Sequence, residues 1–595
     1  MREDNNTPFQ DVSSSGFLKR LRFSAAVVAL CLSMSAAIAQ TVAPAPEAGT
    51  GRLVKNAETT VHDMVAAANP LAAKAGKDIL AAGGSAIDAA IAVQLVLNLV
   101  EPQSSGLGGG ALLVHWDGKT MATLDGRETA PAAAIPERFL WADGKPAEFY
   151  AAVVGGRSVG VPGTPRLLEA AHKKWGRLPW AQLFEPAIAI ADNGFNISPR
   201  LAGLLAKDKF LSKDPNAKAL YFNEDGTPKA AGAELKNPAM AATLRALAEK
   251  GMDAFYNGEI AQDIVDTVTK HPANPGDMTI DDLKGYKAIE RAAVCGPYRG
   301  MEVCGMGPPS SGAVAVLQTL SVLEGQNMAA TPAGPDAAHW MAEAERLAFA
   351  DRAQYLADPD FVSVPVEGLL DVDYLKSRAA LVDPARSMGT AKAGDPPRKK
   401  AQAHAPSDGI EFGTSHISIV DRFGNAVAMT TTIEDGFGAR LMTKSGFLLN
   451  NELTDFSFVP TKDGLPVANR VEPGKRPRSS MAPTIVLDGS GKLHAIVGSP
   501  GGSLIINYVV KTLVALIDWK LDPQVAVDLP NFGSRNGPTE LEMGTEAEGW
   551  QAGLEAKGHA VKLVEMTSGI QAIVVTNDGF VGGADSRREG VAIGN

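Results

Sequence analysis

The chain has 595 residues, 45% of them hydrophobic and 21% charged, with a net charge of −11. That is an ordinary globular composition, long enough for a sizeable core. The acidic balance argues against nucleic-acid binding, which needs clustered Lys and Arg at the phosphates.

The N-terminus has the layout of an export signal. Lys19, Arg20 and Arg22 are basic, Phe23 to Ala36 is mainly apolar but short for a bilayer span, and Ala37-Ile38-Ala39 is a cleavage site. Residues 1–39 are therefore expected to be removed, leaving a mature chain from Gln40 in the periplasm or outside the cell. Export leaves Cys295 and Cys304 in an oxidising compartment. If Arg299-Gly300 is a hairpin turn, the two cysteines face each other at disulfide distance. The alternative is two buried thiols. Neither has the His or acidic neighbours of a metal site.

Two helices are predicted between Ala72 and Val100, broken at Gly83-Gly84 and restarted by a capping box of Ser85 and Asp88. The second is apolar nearly all round and should be buried. "SSGLGGGALLVHW" turns on its glycines into a strand over Ala111–Trp116. Helices are predicted over Leu167–Lys174, Pro179–Ala191, Ala313–Leu323 and Ala337–Leu356. Residues 386–412, with little apolar content, adjacent prolines and several charges, read as a solvated, flexible segment. Beyond it come short strands over His416–Asp421, Ala426–Ile433, Thr484–Leu487 and His494–Gly498, a buried helix over Leu504–Ile517, and a closing hairpin over Gly569–Thr576 and Gly579–Gly583. Helices before the break and strands after it suggest one layered α/β (α+β) unit built from two sequence halves.

The chemistry centres on Thr414. A hairpin loop at Asp421–Asn425, with Gly424 left-handed, places Thr414 across from Thr432. Two threonines so placed are either a stabilising cross-strand pair or a nucleophile with its partner. A threonine hydroxyl is a weak nucleophile, but a free α-amino group on the same residue serves as its base. That requires cleavage between Gly413 and Thr414. Strand alternation puts Glu434 on the face of Thr432, and "SGFLLNNELTDFSF" adds Glu452 and Asp455. Three carboxylates at one site would hold an ammonium; singly, each is a solvated surface acid. "KRPRSSMAPTI" offers Ser479 and Ser480. Gly501-Gly502 in "VGSPGGS" is either a tight turn or a nest of N–H groups for an oxyanion.

Taken in order, "GTSHISIVD", "GNAVAMTTTIE", "SGFLLNNELTDFS", "KRPRSSMAPTI" and "GSPGGS" resemble the small subunit of γ-glutamyltranspeptidases. "GGSAIDAAIA", "EPQSSGLGGG", "LDGRETAP", "GVPG", "MGPPSSGA" and "AEAERLAFADRAQYLADPDF" resemble the large subunit. The resemblance covers about residues 60–595. It implies an N-terminal-nucleophile hydrolase, an αββα four-layer sandwich formed jointly by a large subunit (40–413, with 386–413 its flexible tail) and a small subunit (414–595). Thr414 then resembles the nucleophile that cuts the precursor and attacks substrate, and Thr432 the threonine that orients it. Arg127 resembles the arginine for the substrate α-carboxylate, with Ser479 and Ser480 its serine partners. Glu434, Glu452 and Asp455 resemble the α-ammonium holders, and Gly501 and Gly502 the oxyanion hole. The implied activity is cleavage of glutathione and related γ-glutamyl compounds, with transfer to water, amino acids or dipeptides. No metal or organic cofactor is implied, nor a nucleic-acid or membrane partner for the mature form.

Three features depart from the family pattern. Ser415 replaces its second threonine but should point away from the site. Arg478 stands where many relatives carry an apolar residue, and "FGARLMTKSG" replaces smaller residues. Phe456 to Gly474 is where some relatives place a lid loop. Rival readings are a cephalosporin (glutaryl) acylase of the same family, an inactive γ-glutamyl peptide-binding protein, and a structural secreted protein. The glutaryl reading would leave three acids without an ammonium, at a cost.

Overall fold

The computed structural model describes Met1 and residues 49–398, 403–407 and 413–595. The export signal expected over residues 1–39 lies outside the described residues apart from Met1, as do 399–402 and 408–412 within the expected tail. Among the described residues no helix is long and apolar enough to cross a membrane.

After β1 (Glu58–Thr60) and β2 (Met64–Ala67) come α1 (Pro70–Ala81) and α2 (Ala86–Val100). The break between the helices is the expected one. The Ser85 side chain accepts from the Asp88 N–H while the Asp88 carboxylate accepts from the Ser85 N–H, a complete capping box. Every residue of α2 is buried, as its all-round apolar sequence requires. Then follow β3 (Gly110–Trp116), β4 (Met121–Gly126) and α3 (Thr164–Trp175).

The single helix expected over Pro179–Ala191 is two elements, a 3-10 turn at Trp180–Phe184 and a helix at Glu185–Asn193. Pro186 explains the division. Lacking an N–H, it starts a helix well and cannot continue one.

Next are β5 (Ile289–Arg291), β6 (Ala293–Tyr298) and β7 (Met301–Met306), then α4 (Gly312–Glu324) and α5 (Pro335–Tyr355). The hairpin β6–β7 pairs Cys295 with Cys304, and the two are disulfide-bonded. Arg299 and Gly300 both have positive φ (52° and 75°) in its turn. An arginine is unusual there, but its guanidinium donates to the carbonyls of Leu323, Glu324 and Gln326, capping the C-terminal end of α4.

Residues 386–398 form no helix or strand and many of them are exposed, but side chains elsewhere hold the backbone at several points. Ser387 Oγ and the Met388 N–H both donate to Glu343 at 2.7 Å, the Ala391 N–H donates to Asn536, and the Gly394 N–H to Asp351. Polar groups on α5 and beyond thus anchor this stretch at Ser387, Met388, Ala391 and Gly394.

The remaining labelled elements are β8 (Gly413–Val420), β9 (Ala426–Glu434), β10 (Thr484–Leu487), β11 (Leu493–Gly498), α6 (Ile505–Ile517), β12 (Gln571–Thr576), β13 (Gly579–Ala584) and β14 (Val591–Gly594). Two seven-stranded antiparallel sheets result, ordered β14-β2-β8-β9-β3-β4-β5 and β1-β13-β12-β11-β10-β7-β6. β8 and β9 are buried on both faces. Ile417, Ile419, Val427 and Met429 pack with α1 and α2, whereas Ala426 and Ala428 pack with β10, β11, α4 and α6. The period-2 alternation thus feeds two separate cores.

The disulfide closes a short loop of sequence separation 9, for which chain entropy predicts a contribution of about 2–3 kcal/mol. The double variant Cys295→Ser, Cys304→Ser is expected to melt below the wild type in a thermal scan. Reduced wild type should melt with it. Identical midpoints for oxidised wild type and the variant would show that packing alone holds the hairpin.

Candidate active site

The β8–β9 hairpin follows the expected register from Val420↔Ala426 to Ser415↔Thr431, with the loop closed by the Asp421 N–H on Asn425 and Gly424 at φ 83°. It departs at Thr414. Gly413 pairs with Glu434, so Thr432 and Ile433 together oppose Thr414 in a bulge. The direct Thr414–Thr432 pairing expected from the sequence is therefore corrected: both hydroxyls turn to one acceptor. Thr432 Oγ1 donates to the Gly413 carbonyl at 2.6 Å, and Thr414 Oγ1 donates to the same oxygen. The Glu434 N–H in turn donates to Thr432 Oγ1 at 2.7 Å. Arg588 Nη1 holds the Thr414 carbonyl at 3.2 Å.

Glu434 has φ 76°, a left-handed conformation that is rare for a non-glycine residue and has to be held by its surroundings. Asn451 holds it. Its Nδ2 donates to the Glu434 carboxylate and its Oδ1 accepts from the Asp435 N–H at 2.9 Å. The next residues, Glu452–Asp455, form a 3-10 turn. Both of its carboxylates meet Arg127, which donates through Nη1 to Glu452 and through Nη2 to Asp455. Arg127 also donates to the carbonyls of Pro477 (3.2 Å) and Arg478 (3.0 Å). Its own carbonyl accepts from Tyr286 and Arg476. The guanidinium is thus a fixed, buried fork.

These groups enclose a cavity of about 10 Å³, lined among others by Arg127, Gly413, Thr414, Thr432, Glu434, Glu452, Asp455, Ser479 and Gly502. That is room for little more than one water. Of the residues singled out in the sequence, Ser480 and Gly501 do not line it. The Ser480 hydroxyl accepts from Arg352 Nη2 at 2.6 Å. Gly501 (φ 136°) lies against Tyr508, where a Cβ would come within 2.5 Å of the ring, and Gly502 (φ 56°) completes a left-handed pair ahead of α6. The Ser479 hydroxyl accepts from the Met481 N–H, and the Ser479 backbone pairs with Pro309 and Ser311.

Ser415 turns away, donating to Glu101 at 3.1 Å. His416 hydrogen-bonds Thr430 and Ser418, and burial lowers its pKa to about 3. The two form no catalytic dyad. Residues 457–474 line none of this cavity; they carry a small hairpin, Thr461–Lys462 with Leu465–Pro466. Among the described residues the one cluster with metal-ligand types outside the disulfide is His339, Glu343 and His559. Its atoms are engaged in hydrogen bonds: His339 to His559 at 2.7 Å, His559 to Thr539, and Glu343 to Arg346.

Burial pushes the Glu434 carboxyl well above the usual range, and Asp455, Asp435 and Glu452 push the same way. Burial also raises Glu452, against the pull of Arg127 and with a further push from Glu128. Glu128 is a site residue that sequence reasoning missed. It lies 3.9 Å from Arg127 Nη1, fully buried, with Glu452 as a side-chain hydrogen-bond neighbour. Its space exists because position 110 is glycine; a Cβ there would fall 2.3 Å from the carboxylate. Alternation along "DGRETAP" puts it on the opposite face from Arg127, so the sequence carries no pointer to it. Arg588 and Asn451 also carry no pointer in the sequence, because their roles rest on contacts with distant segments.

A family model described as Gamma-glutamyltranspeptidase matches residues 72–595. The chain is 38% identical over 557 residues to a glutathione hydrolase proenzyme of Bacillus subtilis (strain 168), covering 91% of this chain and 92% of that protein. It is 38% identical over 584 residues to a glutathione hydrolase proenzyme of Escherichia coli (strain K12), covering 96% and 98%. A solved structure, cephalosporin acylase from Bacillus halodurans, superimposes with a TM-score of 0.79 at 27% identity, covering 94% of this chain and 99% of that one.

Burial raises Glu128 from 4.5 to about 7, against the pull of Arg127. The folded chain therefore holds this proton more tightly than the unfolded chain, and it loses stability as pH climbs through that interval. Glu128→Gln removes the loss. Its melting temperature relative to wild type is expected to rise from about pH 4.5 to about pH 7. A difference independent of pH would mean that Glu128 is not charged in this window.

Proposed function

The chain belongs to the gamma-glutamyltranspeptidase family, and from that premise we propose that it is an exported, self-cleaving γ-glutamyl hydrolase and transferase. The observation that carries this is the convergence of two threonine hydroxyls on the Gly413 carbonyl beside a buried Arg–carboxylate cluster. On this reading the two sheets and their covering helices are the αββα four-layer sandwich of N-terminal-nucleophile hydrolases. Large and small subunits come from one precursor, divided at Gly413-Thr414. Export rests on the sequence of residues 1–39 and fits the disulfide.

In self-cleavage, Thr414 Oγ attacks the Gly413 carbonyl carbon. Thr432 O–H steadies the developing oxyanion, and the C–N bond breaks as the amide becomes an ester with a free α-amine. Water then hydrolyses the ester, leaving Gly413 with a carboxylate. Gly413 itself lines the cavity, so its departure opens room for substrate. In turnover the α-amine of Thr414, with a pKa near neutrality, takes the hydroxyl proton. Oγ attacks the γ-carbonyl, and N–H groups at Gly501-Gly502 hold the oxyanion. The departing amine leaves with the proton. Water or an amino acid or dipeptide then takes the γ-glutamyl group from Thr414.

The Arg127 cluster gives the acyl half its specificity. In the uncut chain Arg127 is neutralised by Glu452 and Asp455. A zwitterionic α-amino acid head can enter that ion pair, presenting its carboxylate to Arg127 and the Ser479-Ser480 loop and its ammonium to Glu434, Glu452 and Asp455. Burial raises Glu434 most, and an added ammonium offsets the repulsion from Asp455, Asp435 and Glu452 that raises it further. Glutaryl groups carry no ammonium and leave that repulsion in place, which disfavours the acylase reading despite the likeness to a cephalosporin acylase.

Purified protein is expected to run as two fragments, the smaller beginning Thr-Ser-His-Ile, while Thr414→Ala stays whole. A wild type that remains uncut but binds glutamate analogues would instead support a binding protein. γ-Glutamyl anilide is expected to be cleaved and glutaryl anilide spared. Glu452→Gln should lower kcat/KM for the γ-glutamyl anilide by about 10- to 100-fold, the worth of one charge-assisted contact. Faster glutaryl cleavage by the wild type would make the chain an acylase.

A further inference from the structure

Next to the small inner cavity lies a cleft of about 940 Å³. The two share chain segments. Asp455 lines the cavity while Thr454 and Phe456 line the cleft, and Gly502 lines the cavity while Ser503 lines the cleft. An acyl group on Thr414 therefore has this space as its neighbour. One wall is apolar, with Phe149, Phe456 and Phe458. The charges have one sign: Arg352, Lys462 and Arg535 line the cleft, and no Asp or Glu does among the described residues. In a chain of net charge −11 this is a local reversal, and it is the opposite of the acid-rich inner cavity.

The three cations are not equivalent. Arg352 donates to the hydroxyls of Ser311 and Ser480, which hold it in the floor. Lys462 sits on the exposed hairpin. Arg535 is aimed. Its Nε and Nη2 form a fork on Glu540 (3.1 and 2.7 Å), and its Nη1 donates to Ser503 Oγ at 3.1 Å, one residue from Gly502. Glu540 does not line the cleft; it anchors the guanidinium from behind. A fork fixed on one edge is ordered in advance for a planar anion, so little side-chain entropy is lost on binding.

We propose that this cleft receives the amine half of the γ-glutamyl compound and that Arg535 recognises a carboxylate on it. Arg535 is then the residue through which this chain distinguishes a carboxylated amine half from an uncharged one, in donor and acceptor alike. The apolar wall takes their side chains. This rests on the γ-glutamyl reading above and adds the other half of the substrate to it.

The test compares two donors on the cleaved enzyme: γ-glutamyl-p-nitroanilide, whose leaving group has no carboxylate, and its 3-carboxy analogue. In Arg535→Ala the preference for the carboxylated donor, as a ratio of kcat/KM, is expected to fall about tenfold or more, mainly through KM, the size of a lost charge-assisted contact. Arg535→Lys should keep part of it. For the wild type, glycylglycine should outcompete its C-terminal amide as acceptor. An unchanged preference, with both donors affected in parallel or not at all, would overturn the proposal and reduce Arg535 to a support for Ser503. A wild type inert toward both donors would overturn the γ-glutamyl reading itself.

Discussion

Arg127 is the constraint around which the site is arranged. A guanidinium buried this deeply has to be matched by charge and by acceptors, or its desolvation is ruinous. Its partners come from three stretches far apart in the chain: Glu452 and Asp455 on one 3-10 turn, the carbonyls of Pro477 and Arg478, and the Asp125 carboxylate that fixes its own N–H. Satisfying one cation therefore brings together the end of β4, the Glu452–Asp455 turn and the Ser479-Ser480 loop. Burial drives the surrounding carboxyls Glu434, Glu128 and Glu452 toward their protonated forms. An ammonium placed beside them would favour their charged forms; a neutral group would not.

On the proposed reading, in which the chain is cut at Gly413-Thr414, the sheets explain how it keeps its fold. β8 begins at Gly413-Thr414 and β9 follows it, yet the two pair outward with β2 and β3, which precede that bond. In the other sheet β10 and β11, from the later half, lie between β7 and β12. Strands from the two sides of the bond are interleaved, and their shared faces fill the same two cores. Breaking one peptide bond at the start of β8 removes none of those contacts. The bulge at Thr414 is the local counterpart: it frees this residue from regular pairing while its neighbours stay in the ladder.

On the proposed reading, two adjoining spaces of opposite charge divide the substrate. The inner cavity is acid-rich around one arginine; the outer cleft is basic with an aromatic wall. Gly502 and Ser503 sit at their boundary, where the scissile bond of a γ-glutamyl compound would lie. The stretch Phe456 to Gly474, open as a lid at the level of sequence, builds the cleft wall and leaves the cavity to other residues.

Local rules settled much of this from the sequence. The Ser85–Asp88 capping box, the Gly424 turn and the Cys295–Cys304 pairing each depend on residues a few positions apart, so spacing alone carries them. The long motifs were enough to place Thr414, Thr432, Arg127 and the three acids in one family pattern. What the sequence did not carry depends on contacts between distant segments. The bulge opposite Thr414 and the left-handed Glu434 sit where Asn451, from another segment, holds the end of β9. The burial of Glu128 depends on the space left at Gly110, and the aim of Arg535 on Glu540 and Ser503. Periodicity states which face a residue occupies within its own element. Which groups face it from other elements, and therefore what its charge costs, is decided only when the chain is packed.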